Sequence, residues 1–464
     1  MYTRSITPLD AGIYAMSFKN PPALIIIGNG IAGITAARVA RKLLPDLRIK
    51  IISDETDYFF SRTALMYIYM GHVRAKDCEP YDRSFYAANR LELVRDRVVQ
   101  ADFSNKKLSL ASGEEVSYDL LLLALGSRSN KFGWPGQDLE GVTGLYSMGD
   151  LKKIEESSRL ITEGNAPPRG VIVGGGLIGV ELAEMLHSRG ISTTFLVRED
   201  RYMPALLQAP ESAMVEREIR RHEIDLRLST ELKEILGDDR GRVRATVAGD
   251  GAVIPCGLVG LTAGVSPNLS LVEKNDELDR DRGILADSFL RTSVPDVFTA
   301  GDCAQSRHAD GSPGRVYPLW YTGRAMGEIA GMNIAARALE MSGESSALGP
   351  REYRPGVWFN SAKFFTIEYQ IYGEVPPEPE EDRTLYWEHP NGRSSLRLYF
   401  TREKTILGFQ SMGPRLRQET CEKWIREQRP LSFVLENIGE IRFEPEFSPD
   451  FSKEWGRAFQ ANAS

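Results

Sequence analysis

A chain of 464 residues has room for two or three domains, and 42% hydrophobic with 26% charged residues is ordinary for a folded protein, so disorder, collagen and coiled coil are excluded. Fifty-seven basic against 64 acidic residues leave a net charge of −7, which gives no overall positive field to draw the chain onto nucleic acid or anionic lipid. The four cysteines, Cys78, Cys256, Cys303 and Cys421, form no C-x-x-C or C-x₄-C pair, so neither a disulfide framework nor a metal site is expected. No stretch approaches the roughly 18 apolar residues of a membrane span. The first twenty residues carry no apolar run of signal-peptide length, and a cytoplasmic protein is the expectation.

One pattern occurs twice and organises the chain. Its first copy is ALIIIGNGIAGITAARVARKLLPDLRIKIIS, residues 23–53, and its second is GVIVGGGLIGVELAEMLHSRGISTTFLVRED, residues 170–200. Each reads as a short buried strand, a glycine turn, an amphipathic helix and a second strand. The apolar runs at 24–27 and 171–173 are brief, β-branched and end at glycine, and Ala and Leu then recur at helical spacing. Gly28 and Gly174 make the tight turn off the strand. Gly30 and Gly176 lack a Cβ, so a pyrophosphate can approach the backbone at the helix N-terminus, and Gly33 and Gly179 let helix and strand pack closely. A single G-x-G-x-x-G would be weak evidence. Two copies in the same context imply two dinucleotides, most simply a flavin and a nicotinamide.

The ends of the second strands carry the groups that would meet the ribose of a bound dinucleotide. Asp54 and Glu55 follow the first copy, placed to bond the adenosine ribose hydroxyls of FAD, with Glu55 favoured. In the second copy Val197 is followed by Arg198-Glu199-Asp200-Arg201. An acid at that place selects the 2′-hydroxyl of NAD, whereas a guanidinium suits the 2′-phosphate of NADP. Arg198 and Arg201 therefore favour NADPH, with Glu199 as the counter-argument, because a small backbone shift returns an acid to the ribose. The Pro/Gly-rich run GNAPPRG at 164–170 and the polar run SGESSALGPREYRPG at 342–356 read as linkers.

Further segments fall between and after the two copies: YFFSRTALMYIYMG at 58–71, RDRVVQADF at 95–103, YDLLLLALGS at 118–127, GLTAGVSPN at 260–268, VPDVFTAGDCA at 294–304 and YPLWYTGRAMGEIAG at 317–331. Together with the glycine turns they resemble the two-dinucleotide flavoprotein, or pyridine nucleotide–disulfide oxidoreductase, superfamily over about residues 23–410. The resemblance implies an α/β fold with two Rossmann-like domains, one inserted in the other, that bind FAD and NAD(P), and a C-terminal α+β domain. The expected divisions are an N-terminal extension over 1–22, an FAD-binding domain in two parts over 23–150 and 271–345, an NAD(P)-binding domain over 151–270 and an interface-like domain over 346–464.

The resemblance also implies roles. Arg62 meets the flavin pyrophosphate, as in the ferredoxin- and rubredoxin-reductase branch, and the backbone at Val98 contacts adenine. Gly126 closes the first nucleotide domain, where the usual Ala-Thr-Gly reads Ala124-Leu125-Gly126, and Gly264 ends the nicotinamide domain in a Gly-Val-x-Pro-Asn turn. Gly301 and Asp302 form the late flavin motif, with Asp302 accepting hydrogen bonds from the ribityl chain. Trp320 begins the helix whose N-terminus points at the flavin C2 carbonyl, and its ring covers the flavin. Glu181 stands beside the nicotinamide carboxamide and the flavin N5 region, and Leu177 takes the place of the side chain that gates the flavin face. Tyr67 stands where a lysine often pairs with that glutamate, so a hydrogen bond from Tyr67 to Glu181 or to the flavin edge is expected.

Thr63 stands where the single-cysteine branch of the superfamily carries its reactive thiol. A threonine hydroxyl forms no thiolate, sulfenate or mixed disulfide. Cys78 and Cys303 are read as structural, and none of the five histidines is assigned as a general acid. The branch that remains passes electrons from flavin to an external acceptor; it includes the reductases of oxygenase ferredoxins and of rubredoxin, the flavin part of nitrite reductases and apoptosis-inducing factor. Residues 355–373 and 393–410 resemble its last domain, the latter as a hairpin. The expected activity is that of a FAD-dependent NAD(P)H oxidoreductase whose acceptor is a small electron-carrier protein, ferredoxin- or rubredoxin-like. A quinone or oxygen acceptor is one alternative. A redox-dependent binding module, docking through the residues after Gln410, is the other. A homodimer is the assembly considered.

Overall fold

The computed structural model describes residues 20–308, 310–343, 348–444, 446 and 449–463. The expected N-terminal extension lies outside the described residues up to 19, as do 344–347 of the polar run before the last domain. The glycine turns join β1 (Ala23–Ile27), α1 (Ile31–Leu43) and β2 (Arg48–Ile52) in the first copy and β3 (Arg169–Val173), α2 (Leu177–Ser188) and β4 (Ser192–Leu196) in the second. Three later elements matter below: α3 (Ala209–Arg221), α4 (Trp320–Met341) and β5 (Phe359–Phe364). Two compact units result, one of the described residues up to Ser129 with Tyr146–Leu151 and Val265–Arg354, the other of Asn130–Leu145, Lys152–Gly264 and Pro355–Ser464.

In the first unit five parallel strands run in the order Val297–Thr299, Leu120–Leu123, β1, β2, Leu91–Val94. A parallel sheet is covered on both faces, which is why its strands are continuous apolar runs rather than alternating ones. The two-residue period assigns those runs to two cores. Leu24, Ile26, Leu120 and Leu122 pack on one side with α1 and α4, and Ile25, Ile27, Leu121 and Leu123 pack on the other with the antiparallel strands Val98–Asp102, Lys107–Leu110 and Glu115–Ser117. Helix α4 lies directly on α1 because Gly323, Gly327 and Gly331 repeat every fourth residue. A Cβ on Gly327 would stand 2.5 Å from the Ala32 carbonyl oxygen, and one on Gly331 2.7 Å from that of Ala36. That spacing was present in the sequence as G-R-A-M-G-E-I-A-G. Its use as a helix-crossing surface emerges only with the partner helix in place.

The second unit repeats the parallel theme in the order Asp225–Arg227, β4, β3, Leu258–Leu261, Val142–Thr143. A three-stranded antiparallel sheet of Leu232–Gly237, Val243–Ala248 and Val253–Pro255 follows. The C-terminal part is a five-stranded antiparallel sheet ordered β5, Ile367–Gly373, Ile406–Met412, Ser395–Phe400, Thr384–Glu388. The expected hairpin at 393–410 is its Ser395–Phe400 and Ile406–Met412 pair. Helices Gln418–Arg426, Leu431–Glu436 and Ser452–Ala463 belong to this part, where Leu398, Phe409, Trp424, Trp455 and Phe459 share one apolar core. Between α3 and this sheet lies a buried ion pair. Arg397 donates to both oxygens of Glu211 at 2.8 and 3.0 Å, with the two side chains 6% and 1% exposed, and its guanidinium lies 4.4 Å from the Tyr386 ring centre.

Among the described residues no helix is long and apolar enough to cross a membrane.

Candidate functional site

The first glycine turn is built as a strand-to-helix junction. Gly28 holds φ +111°, where its missing Cβ would stand 2.1 Å from the Ala124 carbonyl oxygen, and Gly33 has its own Cβ direction blocked by the Gly28 carbonyl at 2.1 Å. Gly30, the N-cap of α1, is the opposite case. A Cβ there meets nothing within 4 Å, so the backbone faces open space beside the unpaired N–H groups of the helix. Asn29 Oδ1 in the same turn is buried without a partner among the described residues, and so is Trp320 Nε1 at the start of α4. Buried polar atoms left unpaired are costly. An open glycine cradle and two orphaned polar atoms fit a bound dinucleotide such as FAD.

Beyond β2 the fold separates Asp54 from Glu55. Asp54 is exposed, while Glu55 turns inward, accepts from Arg62 at 2.9 and 2.6 Å and takes the Met148 N–H at 3.0 Å. Burial works against the Arg62 charge, but the hydrogen bond and the field of Glu55 outweigh it and hold the guanidinium above its usual range. Tyr146, which carried no sequence signal, joins these groups. Its ring lies 4.4 Å from the Arg62 guanidinium carbon, its carbonyl accepts from Arg62, and its hydroxyl takes the Ser127 N–H at 2.8 Å and donates to Asp302 at 3.1 Å. Burial raises the Asp302 carboxyl, against the opposing pull of Tyr146, Ser127 and Arg62. Gly126 and Gly301 adopt φ +69° and +83° on either side of this network, and Val98 is buried at the start of its strand.

Thr63 is exposed on a single 3₁₀ turn, its hydroxyl 3.1 Å from that of Ser61. Tyr67 lies on the following short helix, 39% exposed, beside a cavity of about 430 Å³ that Ser61, His72 and Cys78 also line. The fold thus brings Cys78 nearer to the Thr63 turn than its distance in sequence suggests, through the Ser61 N–H to the Cys78 carbonyl at 2.8 Å. Its thiol donates to the Arg74 carbonyl at 3.6 Å and is raised by burial, then by Asp77. All four cysteines are buried and unpaired with one another. Cys303 lies in the core against the Leu123 carbonyl, with its thiol raised by burial.

In the second unit Gly174 holds φ +111°, and its missing Cβ would stand 2.6 Å from Ala263; Gly179 is blocked by the Gly174 carbonyl at 2.4 Å. Gly176, the N-cap of α2, has only the Thr262 oxygen at 3.9 Å. The second cradle thus repeats the first. Tyr202 donates to the Gly176 carbonyl at 3.0 Å and packs its ring on Phe195. Leu177 opens α2, and Glu181 follows one turn later with its carboxyl pushed up to about 7 by burial and then by Glu184. Arg198 is 72% exposed and pairs with its neighbour Glu199 at 3.0 Å, while Arg201 lies 3.9 Å from Glu378. Gly264 takes φ +90° against Asn130.

Two parallel sheets, each opening a glycine cradle at a helix N-terminus, define a chain of the two-dinucleotide α/β class. A family model described as pyridine nucleotide-disulphide oxidoreductase matches residues 22–327, and the chain belongs to that family. It is 31% identical over 288 residues to the biphenyl dioxygenase system ferredoxin–NAD(+) reductase component of Paraburkholderia xenovorans, covering 61% of this chain and 67% of that one. It is also 31% identical over 363 residues to the probable ferredoxin reductase CtmF of Castellaniella defragrans, covering 77% and 83%. Among solved structures, the ferredoxin reductase for the CYP199A2 system from Rhodopseudomonas palustris shares the fold with a TM-score of 0.72 at 24% identity, over 84% of this chain and 91% of that one. The chain is a FAD-dependent NAD(P)H oxidoreductase.

Proposed function

We propose that this oxidoreductase takes its reducing equivalents from NADPH in preference to NADH and hands them to a small electron-carrier protein of the ferredoxin or rubredoxin kind. The observation that carries the reading is chemical. At the turn after Arg62 a threonine hydroxyl is exposed where thiol chemistry would need a cysteine, and all four thiols of the chain are buried and unpaired. Electrons then have no protein thiol to pass through and must leave to an external acceptor. Two relatives named as ferredoxin reductases support a carrier protein in that place.

FAD, when bound, accepts a hydride as an electron pair and releases electrons one at a time. The residues of the chain supply seating, charge and exclusion of water. Gly28, Gly30 and Gly33 seat the pyrophosphate on α1, Glu55 binds the adenosine ribose, Arg62 meets the pyrophosphate, and Asp302 receives the ribityl hydroxyls beside Tyr146. Gly174, Gly176 and Gly179 seat the nicotinamide dinucleotide on α2, and Glu181 orients the carboxamide. Arg198 exchanges Glu199 for the 2′-phosphate, with Arg201 in support. Replacing Arg198 by Glu is expected to lower kcat/KM for NADPH about ten- to a hundredfold, the worth of a charge-assisted hydrogen bond, while NADH turnover holds.

The decisive experiment is anaerobic reduction of the purified flavoprotein with each nicotinamide, followed by reoxidation with ferredoxin, rubredoxin, quinones, disulfides and oxygen. Rapid reoxidation by a carrier protein is expected. Rapid reoxidation by a disulfide alone sinks the reading.

A further inference from the structure

Helix α2 carries a second carboxylate three residues after Glu181. Positions three apart on a helix are neighbours on one face, so Glu184 stands beside Glu181. Glu184 is 12% exposed, and its Oε1 accepts a hydrogen bond from Lys363 Nζ at 2.6 Å. Its other oxygen, Oε2, is buried with no hydrogen-bond partner among the described residues. Lys363 belongs to β5, the edge strand of the C-terminal sheet in the same unit. One half of a largely buried carboxylate is therefore held by a cation from another layer, while the other half meets no partner among the described residues. Within this unit the titratable groups acting on Glu181 are Glu184 and the phenol of Tyr202, and Lys363 reaches Glu181 through Glu184.

We propose that Lys363 is a positioning residue for the nicotinamide site: by neutralising Glu184 it governs whether Glu181, on the same helical face, carries its charge. The inference rests on Glu181 being the nicotinamide-side carboxylate. Two carboxylates on one buried face disfavour each other's ionisation, and a cation on one of them relieves the other. With Lys363 in place Glu181 ionises near neutral pH. Without it, the uncompensated Glu184 charge delays that ionisation to higher pH. An ionised Glu181 attracts the cationic ring of an oxidised nicotinamide, so NAD(P)+ binding should strengthen as Glu181 loses its proton.

Two measurements on the holoenzyme separate this coupling from the reading beneath it. The first follows the Glu181 carboxyl by pH titration of glutamate labelled with ¹³C, assigned with Glu181→Gln and recorded without nucleotide. Lys363→Met is expected to move the Glu181 midpoint up by at least about half a pH unit, a ~3-fold change in its ionisation equilibrium. Glu184→Gln is expected to move it down, and Lys363→Arg to leave it in place. Opposite displacements are a signature that a merely structural contact does not produce, and Glu184→Gln supplies the answer even if Lys363→Met does not fold. A midpoint that stays put in Glu184→Gln overturns the proposal. The second measurement is the Kd of NAD(P)+ against pH. A break that follows the Glu181 midpoint in each variant supports the proposal as a whole. Shifted midpoints with a Kd indifferent to pH and to Glu181→Gln would retain the coupling, overturn the nicotinamide-side reading of Glu181, and with it the role given to Lys363.

Discussion

Glu181 enters the folded chain with its carboxyl at about 7 against an ordinary 4.5, first because it is buried and second because Glu184 lies beside it. A carboxyl raised on folding favours the protonated folded state. Its contribution is fully present below the unfolded value and is lost as pH rises through the folded one. Between about pH 4.5 and about pH 8 the chain therefore loses on the order of 3 kcal/mol from this group. Glu181→Gln removes the loss: urea unfolding should show the variant gaining on the parent by that order as pH rises, and a constant difference would refute the assignment. The glycine positions of the two cradles were legible in sequence because each cradle is made by about thirty contiguous residues. Which of two adjacent acids faces solvent was not legible in sequence, where both follow β2 as possible ribose ligands. The backbone after β2 decides it, sending Asp54 to solvent and Glu55 to Arg62 and the Met148 N–H. Tyr146 left no trace in the sequence, since it meets Arg62 across 84 positions with no periodic or motif signal.

At the scale of elements, the strands and helices follow from local pattern, but their fastening does not. The five-stranded C-terminal sheet is tied to α3 by Arg397 and Glu211, which lie 186 positions apart and are both almost fully enclosed. Neither residue stood out in the sequence, because a buried arginine and a surface arginine are the same letter. Removing one partner of such a pair strands a charge and costs about 3–5 kcal/mol, whereas replacing both by apolar groups of similar volume is close to neutral. Arg397→Met should therefore lower the urea midpoint sharply, and the double variant with Glu211→Leu should recover most of the loss. If the double variant is no better than the single one, the pair is not what fastens the sheet. The Gly323, Gly327 and Gly331 ridge on α4 follows the same logic. Its spacing is plain, and its meaning appears only when α1 lies against it.

For the whole molecule, the chemistry turns on what becomes of the thiols. The four cysteines of the 464 residues form no C-x-x-C or C-x₄-C pair, and folding leaves each of them buried and free. A variant with all four replaced by alanine or serine should reoxidise with its acceptor at the parental rate once its stability has been matched by temperature. Loss of acceptor turnover with flavin reduction intact would implicate a thiol, and Cys78, which lines the cavity beside Tyr67, would be the one to restore first. The family name thus points to a disulfide chemistry for which this chain lacks the paired cysteines.

What the sequence by itself determined is what local geometry and side-chain chemistry can write: two strand–glycine–helix units, the family they signal, and the absence of a thiol at Thr63. A glycine turn needs only its own neighbours, and a missing sulfur is missing in any conformation. The tertiary structure decided everything that depends on distance across the chain. It placed Tyr146 between Arg62 and Asp302, closed Arg397 on Glu211, set Lys363 against Glu184, and buried Glu181 beside Glu184 so that its carboxyl is raised to about 7. Desolvation and coulombic coupling are properties of an environment, and an environment exists only once the chain has folded.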